Sequence, residues 1–168
     1  MNPALSYDGS MGLDATIYCD CFEQGRLRVA PPSEWKVYVD ADGGRNAPTK
    51  SLEEDVTFDK WNDSASEHDR GILLHHRIGS IGEVALLRKV LSRQEDRFPM
   101  IFSRVIYDGM HAGDLITADQ IPAIEPELRA LSDFHSDTAV EEEYIRHFES
   151  QLRELVSAAI RLKKPISF

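Results

Sequence analysis

Met11-Gly12-Leu13-Asp14-Ala15-Thr16-Ile17-Tyr18-Cys19-Asp20-Cys21-Phe22-Glu23 is the stretch whose reading decides the fold class. Leu13, Ala15 and Ile17 alternate with Asp14, Thr16 and Tyr18, the period-2 pattern of a strand with one apolar and one wet face. The same alternation continued past Tyr18 puts Cys19 and Cys21 on one face with Asp20 opposite. Neighbours on one strand face point the same way, near the upper Cα separation for bridging, so a Cys19–Cys21 disulfide is disfavoured.

Downstream of this strand, Gln24-Gly25 predicts a turn and Arg26 to Val29 a short second strand stopped by Pro31-Pro32. Trp35 to Val39 alternates again, and Asp40-Ala41-Asp42-Gly43-Gly44 turns the chain, which predicts a three-stranded meander. Ser51-Leu52-Glu53-Glu54 has capping-box spacing and starts a helix running to about Asn62. Its apolar set is thin, and residues 51 to 69 hold seven carboxylates against the single cation Lys60.

Beyond Gly71, Ile72 to Ile78 reads as a buried strand, and Ser80-Ile81-Gly82-Glu83 caps a helix to about Arg93 whose stripe is Ile81, Val84, Ala85, Leu87 and Leu91. Met100 to Tyr107 reads as a further strand with a turn at Asp108-Gly109. Leu115-Ile116 is a brief extended piece. Thr117 and Gln120 open a helix toward Phe134 that begins irregularly, because Pro122 and Pro126 remove backbone donors. Thr138 and Glu141 start the longest helix, to about Leu162, with Tyr144, Ile145, Phe148, Leu152, Leu155, Val156 and Ala159 along its stripe and Glu149 outside it. Pro165 stops it and leaves Ile166-Ser167-Phe168 extended. Strands early and capped helices late make an α+β domain: an antiparallel sheet covered on one face by helices, ending in a long C-terminal helix.

Upstream, residues 1–10 are small, polar and without period, so they read as a flexible N-terminal extension, with Met11 as an alternative start and residues 11–168 as one domain. A chain of 168 residues buries roughly 70% of its unfolded surface, which makes a core without staples. The segment before Met11 has neither the basic start nor the apolar core of a signal peptide, and two sparse cysteines suit a reducing compartment, so a cytoplasmic location is expected. No apolar run has membrane-span length, which argues against membrane insertion. Nineteen basic against 29 acidic residues give a net charge of -10. That charge argues against nucleic acid and suits a basic protein partner or simple solubility.

Met-Gly-Leu-Asp at 11 to 14, Tyr-Cys-Asp-Cys-Phe-Glu at 18 to 23, Gly-Ile-Leu-Leu-His-His at 71 to 76, His-Ala-Gly-Asp at 111 to 114 and the closing Lys-Pro-Ile-Ser-Phe resemble an uncharacterised family of small bacterial cytosolic proteins. The resemblance runs from Met11 to the end and implies no activity. The arrangement of the second half is also similar, in architecture alone, to small bacterial immunity-like proteins.

Four constellations carry chemistry. Cys19 and Cys21 with His75 or His76 hold the ligand types of a zinc site. Adjacent histidines on a strand face opposite ways, so His75 joins and His68 or His111 would supply the fourth ligand; the competing reading is two thiols packed as small hydrophobes. Cys21, His75 or His111, and Asp114 could make a nucleophilic triad, although no nucleophile elbow accompanies them. His111 and Asp114 sit after a glycine turn, where they bind a ligand or cap the next turn. Finally, Glu53, Glu54, Asp55, Asp59 and Asp63 surround Trp61, an aromatic that could anchor a basic partner if it is not in the core. The expected function is a non-enzymatic acidic binding module without cofactor, of the immunity type, inhibiting a basic toxin or enzyme. The alternative is a small zinc or thiol enzyme at Cys19, Cys21, His75 and His76. Walker, Rossmann, H-E-x-x-H and EF-hand patterns do not occur.

Overall fold

A computed structural model of the chain describes residues 12–106 and 114–168. The expected N-terminal extension, Met11, Tyr107 to Asp108-Gly109 and His111 lie outside them. Four strands form one antiparallel sheet in the order β4-β1-β6-β5: β1 is Gly12–Tyr18, β4 Ile72–Ser80, β5 Leu115–Ile116 and β6 Ile166–Ser167. Two further strands, β2 (Tyr38–Val39) and β3 (Arg45–Asn46), pair as a separate ribbon around the Asp40–Gly44 turn. The expected meander is therefore corrected. β1 lies between β4 and the C-terminal β6, and Arg26 to Val29 is no strand, because Arg28 and Val29 spend their amides on the Ala65 carbonyl at the end of the first helix.

The alternation in β1 is realised as read. Leu13, Ala15 and Ile17 are buried, and their register partners Leu74 and His76 share the covered face. On the other face Asp14, Thr16, His75 and Arg77 meet: the His75 ring nitrogen is 3.1 Å from Thr16 Oγ1, and Arg77 Nη1 is 3.5 Å from Asp14 Oδ2. One face is thus apolar and the other ionic, as an open antiparallel sheet requires.

Four helices follow the caps. α1 (Leu52–Ser64) starts at Ser51, whose hydroxyl accepts Glu54 N–H at 3.2 Å, while the Glu54 carboxylate reaches back to Lys50 N. α2 (Ile81–Leu91) has the reciprocal box, Ser80 Oγ with Glu83 N and Glu83 Oε2 with Ser80 N. α3 (Ile121–Ser132) opens with an i+3 bond from Ala123 N to the Gln120 carbonyl, the irregular start that Pro122 imposes. α4 (Ala139–Leu162) is capped by Thr138 and ends at Lys163, which takes a left-handed conformation (φ 54°) before Pro165.

α4 lies on the covered face against β1, β4 and β6, with α2 and α3 beside it. Ile145, Phe148, Leu152 and Leu155 are at most 1% exposed. They pack with Leu87 and Leu91 of α2, Leu128 and Leu131 of α3, and Ile166 and Phe168 of the tail. Glu149 is not a spectator on the polar face. It accepts from Ser132 Oγ, Arg146 Nη1 and Arg153 Nη2, and Arg146 in turn donates to the Leu131, Ser132 and Phe134 carbonyls, tying the C-terminal end of α3 to α4.

The expected strand at Met100 to Tyr107 is helical instead: Ile101–Val105 makes a π-helical turn closed by Ile106 N to the Ile101 carbonyl. The buried residues Ile101, Phe102, Val105 and Ile106 fall at spacings of one, three and four, which fits a helical face and not alternation. The turn starts on a buried carboxylate. Glu127 of α3, 4% exposed, accepts the Met100 and Ile101 amides at 2.8 Å each.

Candidate functional site

A smaller apolar cluster, separate from the main core, joins α1 to the ribbon: Phe58, Trp61, Ala65 and Ala47, with Leu27, Trp35 and Val37. Trp61 is 8% exposed, its indole N–H donates to the Val29 and Ala30 carbonyls, and Trp35 packs edge-on and Phe58 tilted against it. Trp61 is therefore a core residue of this cluster and does not reach solvent as an anchor.

Burying one side of a single helix leaves the other free. Glu53, Asp55, Asp59 and Asp63 are exposed along α1, and so are Leu52 (78%) and Val56 (44%), four residues apart on the same face. Asp55 accepts the Thr49 hydroxyl, Asp63 pairs with Arg70 at 2.8 Å, and Glu54 is held at the cap. Beside this face opens a hollow of about 380 Å³ lined by Asp55, Asp59, Thr49, Asn62, Phe58 and Arg45.

Arg45 is the residue on which the region is built. Only 9% exposed, it lies over the Trp61 ring at 5.6 Å and donates from Nε and Nη2 to the Asn62 side chain and carbonyl. Its Nη1 is buried without a hydrogen-bond partner among the described residues. Gly71 favours glycine on two counts, a φ of +73° and a close approach in which a Cβ would meet Arg45 Nη2 at 3.0 Å. Burial lowers the Arg45 pKa, and the neighbouring Cys19, Cys21 and Glu23 counteract it.

Those cysteines occupy the end of β1. The strand stops at Tyr18, so Cys19 and Cys21 lie in the turn after it and not on a strand face. Cys19 N–H donates to the Gly71 carbonyl at 2.7 Å and Cys21 N–H to Cys19 Sγ at 3.4 Å. Both are free thiols and buried. Burial, then the Cys19 neighbour, pushes the Cys21 thiol up to about 11, which leaves it protonated and a poor nucleophile near neutral pH.

The histidine that joins them is His68, from the loop between α1 and β4: one ligand atom each from Cys19, Cys21 and His68 lie within 4.8 Å of one another. His75, the expected ligand, is paired with Thr16 on the open sheet face, with Asp14 3.9 Å away, and His76 bonds Glu154 of α4 at 2.8 Å. The correction follows from where the strand ends. His75 sits opposite Thr16, three residues before Cys19, whereas Gly71 hydrogen-bonds Cys19 itself and brings His68 with it. The His75 form of the triad is not assembled, for the same reason; its Asp114 leads into β5, two strands from β1, where its carbonyl accepts Phe168 N–H at 3.0 Å. His111 lies outside the described residues, so the His111 and Asp114 pairing has no geometry to report.

Fold and site together define an α+β protein with a carboxylate-rich helix face and a two-thiol, one-imidazole cluster at the end of β1. No protein-family model, curated protein or solved structure matches the chain. No helix among the described residues is long and apolar enough to cross a membrane.

Proposed function

We propose that the protein is a non-catalytic binding module that docks the outer face of α1 on a basic surface of another protein. The observation that carries the reading is the exposed Leu52–Val56 pair set among Glu53, Asp55 and Asp59. An apolar pair supplies area to desolvate, and the carboxylates around it steer a cationic partner and set its orientation. The neighbouring hollow, with Asp55 and Asp59 in its wall, suits a lysine or arginine side chain of that partner. A net charge of -10 acts in the same direction at long range and repels polyanions. The immunity-type form of the reading, inhibition of a basic toxin or enzyme by occlusion, rests on this charge and on the architectural resemblance, while kinship with the uncharacterised bacterial family rests on the sequence motifs alone.

The test is capture from an extract of the source cell by the native chain and by a Leu52→Ser/Glu53→Lys/Asp59→Lys variant with the same melting temperature. The reading expects a protein with a basic surface that crosslinks to α1, and its loss with the variant. Equal capture by both chains, crosslinks confined to another face, or an acidic partner would overturn it.

A further inference from the structure

We propose that Cys19, Cys21 and His68 form a metal site for a zinc-class divalent ion. Goes beyond the docking role of α1, this site lies on different residues and has a different readout, so either reading can fail without the other. The ligand chemistry is specific: two thiolates and an imidazole select zinc over magnesium or calcium, which take oxygen. The ligand atoms, all within 4.8 Å of one another, come within bonding distance of one ion by small side-chain rotations, given zinc–sulfur and zinc–nitrogen lengths of about 2.3 and 2.0 Å.

The backbone already holds both segments in place. Cys19 N–H is bound to the Gly71 carbonyl, Gly71 N–H to the His68 carbonyl at 2.9 Å, and Ser66 Oγ to that same carbonyl at 2.8 Å. On the other side Arg26 N–H closes the turn on the Cys21 carbonyl at 2.7 Å. A second, independent observation concerns the surroundings. Glu67 Oε1 lies 3.4 Å from His68 Nε2, so with Nδ1 as the ligand atom this carboxylate would hold the ring from outside. Arg45, whose guanidinium packs against Gly71 at the same strand end, places a buried cation on the side of the two thiols.

Binding replaces two S–H bonds by two S–metal bonds and releases two protons, so the site changes no net charge. Three protein ligands leave a fourth position for water. The ion would staple the loop between α1 and β4 to the end of β1, making it part of the fold's stability.

The experiment uses the reduced full chain after removal of metal by chelation. Cobalt(II) added alone is expected to give the sulfur-to-metal charge-transfer band and visible d–d bands of a tetrahedral site. Zinc is expected to displace it at one ion per chain and to raise the melting temperature. His68→Asn, on the half-exposed rim, is expected to fold and to weaken zinc binding by at least the roughly 10–100-fold that loss of an outer-shell partner costs. His75→Asn, on the open sheet face, is expected to bind zinc like the native chain. Absence of the cobalt bands with both thiols reduced, unchanged zinc affinity in His68→Asn, or loss of binding in His75→Asn would each overturn the site.

Discussion

Replacing Glu127 by alanine should be among the most damaging single changes to a charged residue in this chain. The carboxylate is 4% exposed and accepts the part-buried Met100 amide and the buried Ile101 amide at 2.8 Å each. Those amides begin the π-helical turn that contributes Ile101, Phe102, Val105 and Ile106 to the main core. Deleting the carboxylate leaves the buried Ile101 donor unsatisfied, at about 1–3 kcal/mol, and the part-buried Met100 donor at the lower end of that range. Against this stands the desolvation of the carboxylate, which raises the Glu127 pKa more than the two amides lower it. The net expectation for Glu127→Ala is a loss of about 2–5 kcal/mol, read as a lower denaturant midpoint at neutral pH. The pH dependence has a definite sign. A carboxyl whose folded pKa is raised contributes stability that is full below the unfolded value and fades as pH rises through the folded one, so the gap between native and variant should widen on acidification. A variant within about 0.5 kcal/mol of the native chain, the ordinary range of surface substitutions, would refute the capping role.

Two further outcomes are expected. Leu152→Ala, at a fully buried position of α4, should cost about 2–5 kcal/mol through lost transfer energy and a cavity, whereas Ser157→Ala on the exposed side should stay within about 0.5; equal denaturant midpoints would show the helix to be misphased. Burial first, and then hydrogen bonding to Asp40, raises Asp42 to about 6, so its contribution to stability should be lost as pH climbs from about 4 through 6. Asp42→Asn, which keeps an oxygen for Gly44 N–H, should flatten the melting temperature over that window, and an unchanged slope would count against the carboxylate pair.

The caps at Ser51, Ser80 and Thr138, the turn at Asp40 to Gly44 and the stripe of α4 were legible in the sequence because each is a local matter. A hydroxyl three residues before an amide, a glycine with positive φ, or apolar residues three and four apart need no knowledge of the rest of the chain. The same holds for the two faces of β1, whose period of two is written in Leu13 to Tyr18.

Partners across space were not local and only the tertiary structure decided them. β1 pairs with β4 and with the last strand, not with the segment that follows it, because the apolar face completed by α4 is shared by strands distant in sequence. Residues 101–106 are β-branched and aromatic enough for a strand, yet a carboxylate 26 positions away caps them as a helical turn, and burial of one helical face outweighs the weak intrinsic preference. Trp61 could equally have been an anchor or a core residue; the ring contacts with Trp35 and Phe58 decided for the core. The sulfur cluster shows the division most clearly. The sequence alone determined two thiols and several histidines, but which imidazole meets them depended on where β1 ends and on one backbone bond from Cys19 to Gly71, which brings His68 to the strand end while the register sets His75 back opposite Thr16.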